Sequence, residues 1–195
     1  MAALSSVRVD GSLTVEEQRV TVHLFADKQG NCIGTLSATG IGNVEIRRTG
    51  NRSWIKADEE TWRKQVEKGG ATPQQAARAA QLFKDRFITG FDTQMPQTAA
   101  MCNLIESMFG DTEEDQVSKG AAGTTNGVKT VSLTSMTDGE KVVLHVATEG
   151  TPYLIRMEQT EGEPGAMDFS AFDKPFTVEE PPAGQVVDFS ALNKA

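Results

Sequence analysis

Two blocks of alternating sequence are separated by residues 58–109, where the alternation stops, and that interruption limits what this chain can fold into. In the first block, residues 7–57, apolar side chains fall on every second position: Val7, Val9, Leu13 and Val15, then Val20, Val22 and Leu24, then Val44 and Ile46. A period of two marks strands with one buried face. Asp27-Lys28-Gln29-Gly30-Asn31 and Gly50-Asn51 supply turn residues, so the block predicts a five-strand antiparallel meander that ends at 53–57.

The second block resumes at about Val128. Thr137-Asp138-Gly139-Glu140 closes a hairpin between 128–136 and 141–148, and further strands are expected at 153–160, 167–172, 176–178 and 186–192. Residues 111–127, acidic and then rich in Gly, Thr and Asn, read as an exposed connection. The two blocks together predict about ten strands.

Between them the apolar spacing becomes helical. Asp58 is placed to cap a helix with Glu59 and Glu60 in its first turn and Lys64 and Lys68 toward its end, and Gly69-Gly70 stops it. Thr72-Pro73-Gln74-Gln75 is the strongest helix start in the chain, with Thr as N-cap, Pro at the first position and Gln completing a capping box. This second helix is expected to run to about Arg86, with Ala76, Ala80, Phe83 and Phe87 on one stripe. Beyond Gly90 and Pro96, a third stripe of Met101, Leu104, Ile105 and Met108 ends at Gly110, with Cys102 at its edge.

These stripes have two readings. They are either plain core, or the lining of an adaptable apolar site, because flexible Met and small Ala opposite Phe suit a guest of variable shape. On the second reading the lining candidates are Trp54, Trp62, Phe83, Phe87, Met101, Leu104 and Met108, with Trp54 as the floor beneath the helices if it points inward.

Several functions are disfavoured. With 27 acids against 19 bases the net charge is -8, and no Lys/Arg cluster offsets it, so nucleic acid is not an expected partner. No apolar run approaches the ~18 residues of a membrane-spanning helix. Glu113-Glu114-Asp115 reads as a solvated charge run rather than a metal site, and no metal or cofactor is expected. The motifs G-x-S-x-G, H-E-x-x-H, G-x-G-x-x-G and the P-loop are all missing, and His23 and His145 lie on separate strands, so the expectation is no enzyme. Met1-Ala2-Ala3-Leu4-Ser5-Ser6 has neither the basic nor the apolar region of a secretory signal, which leaves a cytosolic protein or the mature part of an exported one.

The two cysteines also have two readings. Cys32 opens a strand and Cys102 lies in the third helix, too far apart in sequence for a metal motif. They are either independent buried thiols or a disulfide that pins helix to sheet, and such a bond persists only in an oxidising compartment.

The order of elements and several phrases resemble exported actinobacterial lipoproteins of the LppX/LprG type, relatives in fold of the LolA and LolB lipoprotein carriers. The phrases are Val7-Arg8-Val9-Asp10-Gly11-Ser12, Gly30-Asn31-Cys32-Ile33-Gly34-Thr35, Trp54-Ile55-Lys56-Ala57-Asp58 leading to Thr61-Trp62, and Pro152-Tyr153-Leu154 through Asp168-Phe169-Ser170, Pro175-Phe176-Thr177-Val178 and Pro181-Pro182. The resemblance implies an α+β fold, a strongly curved antiparallel sheet forming an unclosed half-barrel, with three helices inserted mid-chain over its concave face. It implies one domain over 1–195, made of a first β-half (1–57), a helical lid (58–109) and a second β-half (110–195). It also implies a monomeric cell-envelope lipoprotein that binds lipid or another acylated ligand between sheet and helices. Such proteins are tethered to the membrane surface by a lipidated N-terminal cysteine; no cysteine lies near Met1, so tethering requires that a signal peptide and lipobox were removed. The alternative is a non-catalytic envelope protein-interaction module that uses the same scaffold without a ligand.

Overall fold

The computed structural model describes residues 4–15, 18–39, 42–90, 102–103, 117–137, 140–161 and 164–192. The first block forms the expected meander: β1 (Ser6–Val15), β2 (Gln18–Asp27), β3 (Cys32–Ala38), β4 (Gly42–Thr49) and β5 (Arg52–Ala57). Each pairs antiparallel with the next. The β2–β3 turn is held by Asp27, whose carboxylate accepts from the backbone N–H of Gln29 and Asn31 at 2.9 Å each.

Two helices follow. Helix α1 (Glu59–Lys68) starts at Asp58, whose side chain accepts from the Thr61 N–H at 2.7 Å, and leaves at Gly69. Helix α2 (Pro73–Phe83) carries the full capping box: the Thr72 hydroxyl accepts from the Gln75 N–H, and the Gln75 side chain accepts from the Thr72 N–H at 2.9 Å. The helix ends at Phe83 rather than Arg86. Lys84 turns to an extended ψ of 129° and Asp85 adopts a φ of 58°, so Phe87 leaves the helical stripe and opens a strand, β6 (Phe87–Thr89). The expected third helix falls outside the described residues, apart from Cys102 and Asn103.

The second block supplies β7 (Ser118–Thr125), β8 (Val128–Thr137), β9 (Glu140–Ala147), β10 (Leu154–Gln159), β11 (Gly165–Ser170) and β12 (Val186–Asp188), followed by one helical turn at Phe189–Leu192. All twelve strands form one open sheet in the order β12-β6-β5-β4-β3-β2-β1-β11-β10-β9-β8-β7. Pairing is antiparallel except between β12 and β6.

Twelve strands replace the expected ten for identifiable reasons. β6 is three residues long, too short for a period to show, while the strand expected at 186–192 forms only over β12, because Phe189–Leu192 turns helical. β7 lies in the stretch read as a connection; its Gly120-Ala121-Ala122-Gly123 has no alternation, and it joins the sheet through backbone pairing to β8. At Gly120, in the irregular part of the β7–β8 pairing, an added Cβ would lie 2.4 Å from the Ser132 hydroxyl. The strand expected at 176–178 does not form. Ala171 and Asp173 take positive φ values of 48° and 56° and turn the chain out of the sheet.

The register places one apolar face across both blocks. Val9 sits opposite Leu24 on one side and Phe169 on the other; Met157 sits between Met167 and Leu144, and Leu144 opposite Leu133. Directly opposed residues share a face, so these side chains form a single inner face. Two clusters lie on it. One gathers Leu24, Ala26, Ile46, Ile55 and Ala57 under Trp62, Ala80 and Phe83 of the helices. The other gathers Leu4, Val7, Val9, Leu154, Met167 and Phe169.

Cys32 and Cys102 are bonded, with Cα atoms 5.3 Å apart, and both are fully buried in the first cluster. The bond closes a loop of 70 positions, for which the chain-entropy relation gives roughly 4 kcal/mol of stabilisation. Replacing both cysteines by serine is expected to lower the free energy of unfolding by about that amount, read from urea midpoints. In the native chain no thiol should react with iodoacetamide under denaturing conditions until a reductant is added.

Candidate functional site

The inner face is the candidate site, and its two halves differ. Beneath α1 and α2 it is closed. Trp62 and Phe83 meet edge to face with ring centroids 5.4 Å apart and are 7% and 6% exposed, so these two expected lining residues come together as packed core. Toward β1, β11, β10 and β9 the same face is less covered. Leu13, Val22, Leu144, Val146 and Met157 pack against the second cluster yet are only half-buried, as are Leu36 and Val44 beside the first. Their period-two spacing marks these residues as strand faces in the sequence, where the helical stripes offer the stronger apolar signal.

Trp54 and Phe87 do not join Trp62 and Phe83. Ile55 and Ala57 hold the inner face of β5, so alternation turns Trp54 to the opposite, outer face. There the Arg52 guanidinium lies 5.2 Å from the Trp54 ring. Phe87 is on that side too, under Arg47 at 4.7 Å and Lys56 at 5.5 Å. Both rings are 3% exposed. Met101, Leu104 and Met108 lie outside the described residues.

The outer face has its own cover. From β11 the chain crosses to β12 as a strap, residues 171–185, which reaches the far edge of the sheet over this side. Phe176 packs on Phe25 at 5.6 Å, the Arg47 guanidinium donates to the Glu179 carbonyl at 3.2 Å, and Arg52 pairs with Glu180. At the strap's start, Asp173 accepts from the Ser5 N–H and hydroxyl at 2.7 Å each and from the Tyr153 hydroxyl. These donors, Tyr153 first, pull the Asp173 carboxyl down to about 2.

Elsewhere the outer face is polar and internally paired. Asp10 accepts from Arg8 at 2.6 Å and contacts the His23 ring at 2.9 Å, and the Arg8 hydrogen bond is the main cause of its lowered pKa. Arg156 binds both oxygens of Asp168, at 2.7 and 2.8 Å, and also Glu158. His145 lies between the Thr125 hydroxyl at 3.2 Å and Glu158 at 3.6 Å. Among the described residues, no group of three or more His, Cys, Asp or Glu side chains is placed to hold a metal ion.

Among the described residues of β1 to β5, one charge breaks the apolar inner face. Arg48 stands opposite Cys32 on β3 and Ser53 on β5, in the row that continues the buried Ala26 and Val7. Its Nε and Nη1 atoms are shut off from solvent, and neither has a hydrogen-bond partner among the described residues. The same holds for the hydroxyl of Ser53, which is fully buried.

With this geometry the chain can be compared with solved structures. It superposes on the lipoprotein LppX of Mycobacterium tuberculosis with a TM-score of 0.55 over 91% of each chain, at 12% identity. The two share a fold. An uncharacterized conserved protein of Thermus thermophilus matches at a TM-score of 0.43 and 8% identity, over 95% of this chain and 91% of that one. A putative outer membrane lipoprotein-sorting protein domain of Vibrio parahaemolyticus matches at 0.25 and 9%, over 89% and 87%. No protein-family model matches the chain, and no curated protein matches it in sequence. The fold likeness to LppX is therefore independent of any detectable sequence match.

Two outcomes follow from the site's geometry. Phe83→Ala is expected to cost about 3–5 kcal/mol, as a large ring is removed from closed core, measured by chemical denaturation. Asp173→Asn should weaken the strap anchor near neutral pH. Because the folded-state value of about 2 lies below the ordinary 3.8, the native carboxylate's contribution is fully present above the ordinary value and is lost as pH falls through the folded one. The stability gap between the two proteins should close over that interval in acid titrations.

Proposed function

We propose that this chain is a non-catalytic, extracytoplasmic lipoprotein domain that binds lipid acyl chains on the inner face of its sheet. The observation that carries the proposal is the uneven burial of that face. A single apolar surface runs from β5 to β8, closed under α1 and α2, and half-buried at Leu13, Val22, Leu144, Val146 and Met157. An acyl chain laid on such a surface gains about 0.8 kcal/mol per methylene removed from water. A dozen methylenes then suffice for useful affinity after ordering costs.

Two features support the setting. The Cys32–Cys102 bond suits an oxidising compartment outside the cytoplasm. The fold is that of a mycobacterial lipoprotein, which fits a tether to the cell envelope. On this reading both β-halves and the helices act as one domain, since strands from either side of the helical segment share one sheet.

The test is a titration with a fluorescent long-chain fatty acid, together with native mass spectrometry of protein purified without detergent. Saturable binding is expected. Leu144→Gln, on the inner face, should weaken it tenfold or more, whereas Thr35→Glu, exposed on the outer face, should leave it unchanged. Absence of saturable binding, or equal sensitivity to both changes, would contradict the proposal.

A further inference from the structure

The row Val7, Ala26, Cys32, Arg48, Ser53 crosses the inner face from β1 to β5. Its first three members are fully buried and apolar or disulfide-bonded; its last is fully buried and polar. Arg48 between them is the anomaly. Five other arginines among the described residues have carboxylate or carbonyl partners: Arg8 with Asp10, Arg47 with Glu45 and the Glu179 carbonyl, Arg52 with Glu180, Arg63 with Glu67, Arg156 with Glu158 and Asp168. Among the described residues Arg48 has none for its two buried nitrogens, Nε and Nη1, and neither has the Ser53 hydroxyl opposite it.

A buried donor without an acceptor costs about 1–3 kcal/mol, and more when charged. The cost is tolerated where the group meets an anion for part of its working cycle. The chemistry is specific. A charged guanidinium N–H beside a hydroxyl donor matches two oxygens of a carboxylate or a phosphate. It offers nothing to a neutral ester or an alcohol that water does not. The protein's net charge of -8 disfavours anions in general, so this site draws its ligand by short-range contact rather than by long-range attraction.

We propose that Arg48 and Ser53 form an anion subsite on the inner face that holds the carboxylate or phosphate headgroup of the bound acyl ligand. Position supports a headgroup over a free ion. Along the row, Arg48 is three strand spacings from Val7, about 14 Å, and Val7 belongs to the second apolar cluster. A headgroup on Arg48 therefore leaves an attached chain within reach of the half-buried surface. This inference rests on the lipid-binding reading above and deepens it by naming the ligand's charge.

The test compares three probes of equal chain length: a fatty acid, a lysophosphatidic acid and the neutral fatty alcohol. Each is titrated into the native protein, Arg48→Met, Arg48→Lys and Ser53→Ala. The native protein should prefer the two anions over the alcohol by about tenfold or more. Arg48→Met should abolish that preference while leaving alcohol binding unchanged, and Arg48→Lys should restore part of it. Ser53→Ala should reduce it by a smaller factor. Folding is monitored by melting temperature, and Arg48→Met should not lower it, because it removes two buried donors without partners and keeps an aliphatic side chain in their place. A native protein that binds all three probes equally, with Arg48→Met binding as it does, overturns the subsite but keeps the lipid-binding reading. Binding of none overturns both. Displacement of bound fatty acid by millimolar inorganic phosphate or acetate would mark the site as one for free anions and overturn the headgroup assignment.

Discussion

One antiparallel pairing, β1 with β11, joins the first block of strands to β7 to β11 of the second, while β12 is held at the opposite edge by β6. Arg8 through Ser12 run opposite Ser170 through Ala166, partners separated by most of the chain's length. Without that seam the sheet would part into two smaller sheets, each with an additional open edge. The inner face would be cut between Val9 and Phe169, which face each other across it. Close approach at the seam depends on Gly11, where an added Cβ would fall 2.2 Å from the Ala166 carbonyl oxygen. The helices and the disulfide all belong to one side of this seam, and the half-buried apolar surface belongs to both. A closed half beside a half-covered one is thus a consequence of where the insertion falls in the chain.

The two faces of the sheet solve different problems. The outer face neutralises its charges locally, through Arg8 with Asp10 and Arg156 with Asp168 and Glu158, and covers Trp54 and Phe87 with cations. Among the described residues the inner face is largely apolar, interrupted by Arg48 and Ser53 toward β5 and by Gln159 and Ser135 toward β8. A charge placed on the apolar side, while the polar side pairs its own, separates Arg48 from the surface ion pairs that carry little energy.

Much of this was legible from residue order alone. Period-two spacing located β1 to β5 and the β8–β9 hairpin, and the Asp58 and Thr72 caps located both helices, because these signals are local and each residue reports its own environment. Alternation sorts residues into two faces without saying which is inner. On β5 each set holds a buried apolar side chain, Trp54 between Arg52 and Lys56 on one side and Ile55 and Ala57 beside Ser53 on the other, since the strap covers the outer side as well. Phe87 misled for a different reason. Its four-residue spacing from Phe83 continues the helical stripe, while the break is made by backbone angles at Lys84 and Asp85 that leave no apolar signature. β7 has no side-chain pattern at all and owes its place to pairing with β8. The cysteine spacing allowed a bond or two thiols, and only the fold brings Cys102 against Cys32.

The central claim is that an acyl chain lies on the inner face of the sheet. Its most direct measurement is photocrosslinking with a fatty acid that carries a diazirine near the chain terminus, followed by peptide mapping of the label. The account predicts label concentrated on inner-face residues of β1, β2, β9 and β10, including Leu13, Val22, Leu144 and Met157. Label on the outer face around Trp54, Phe87 and the strap, or spread evenly over the surface, would contradict it.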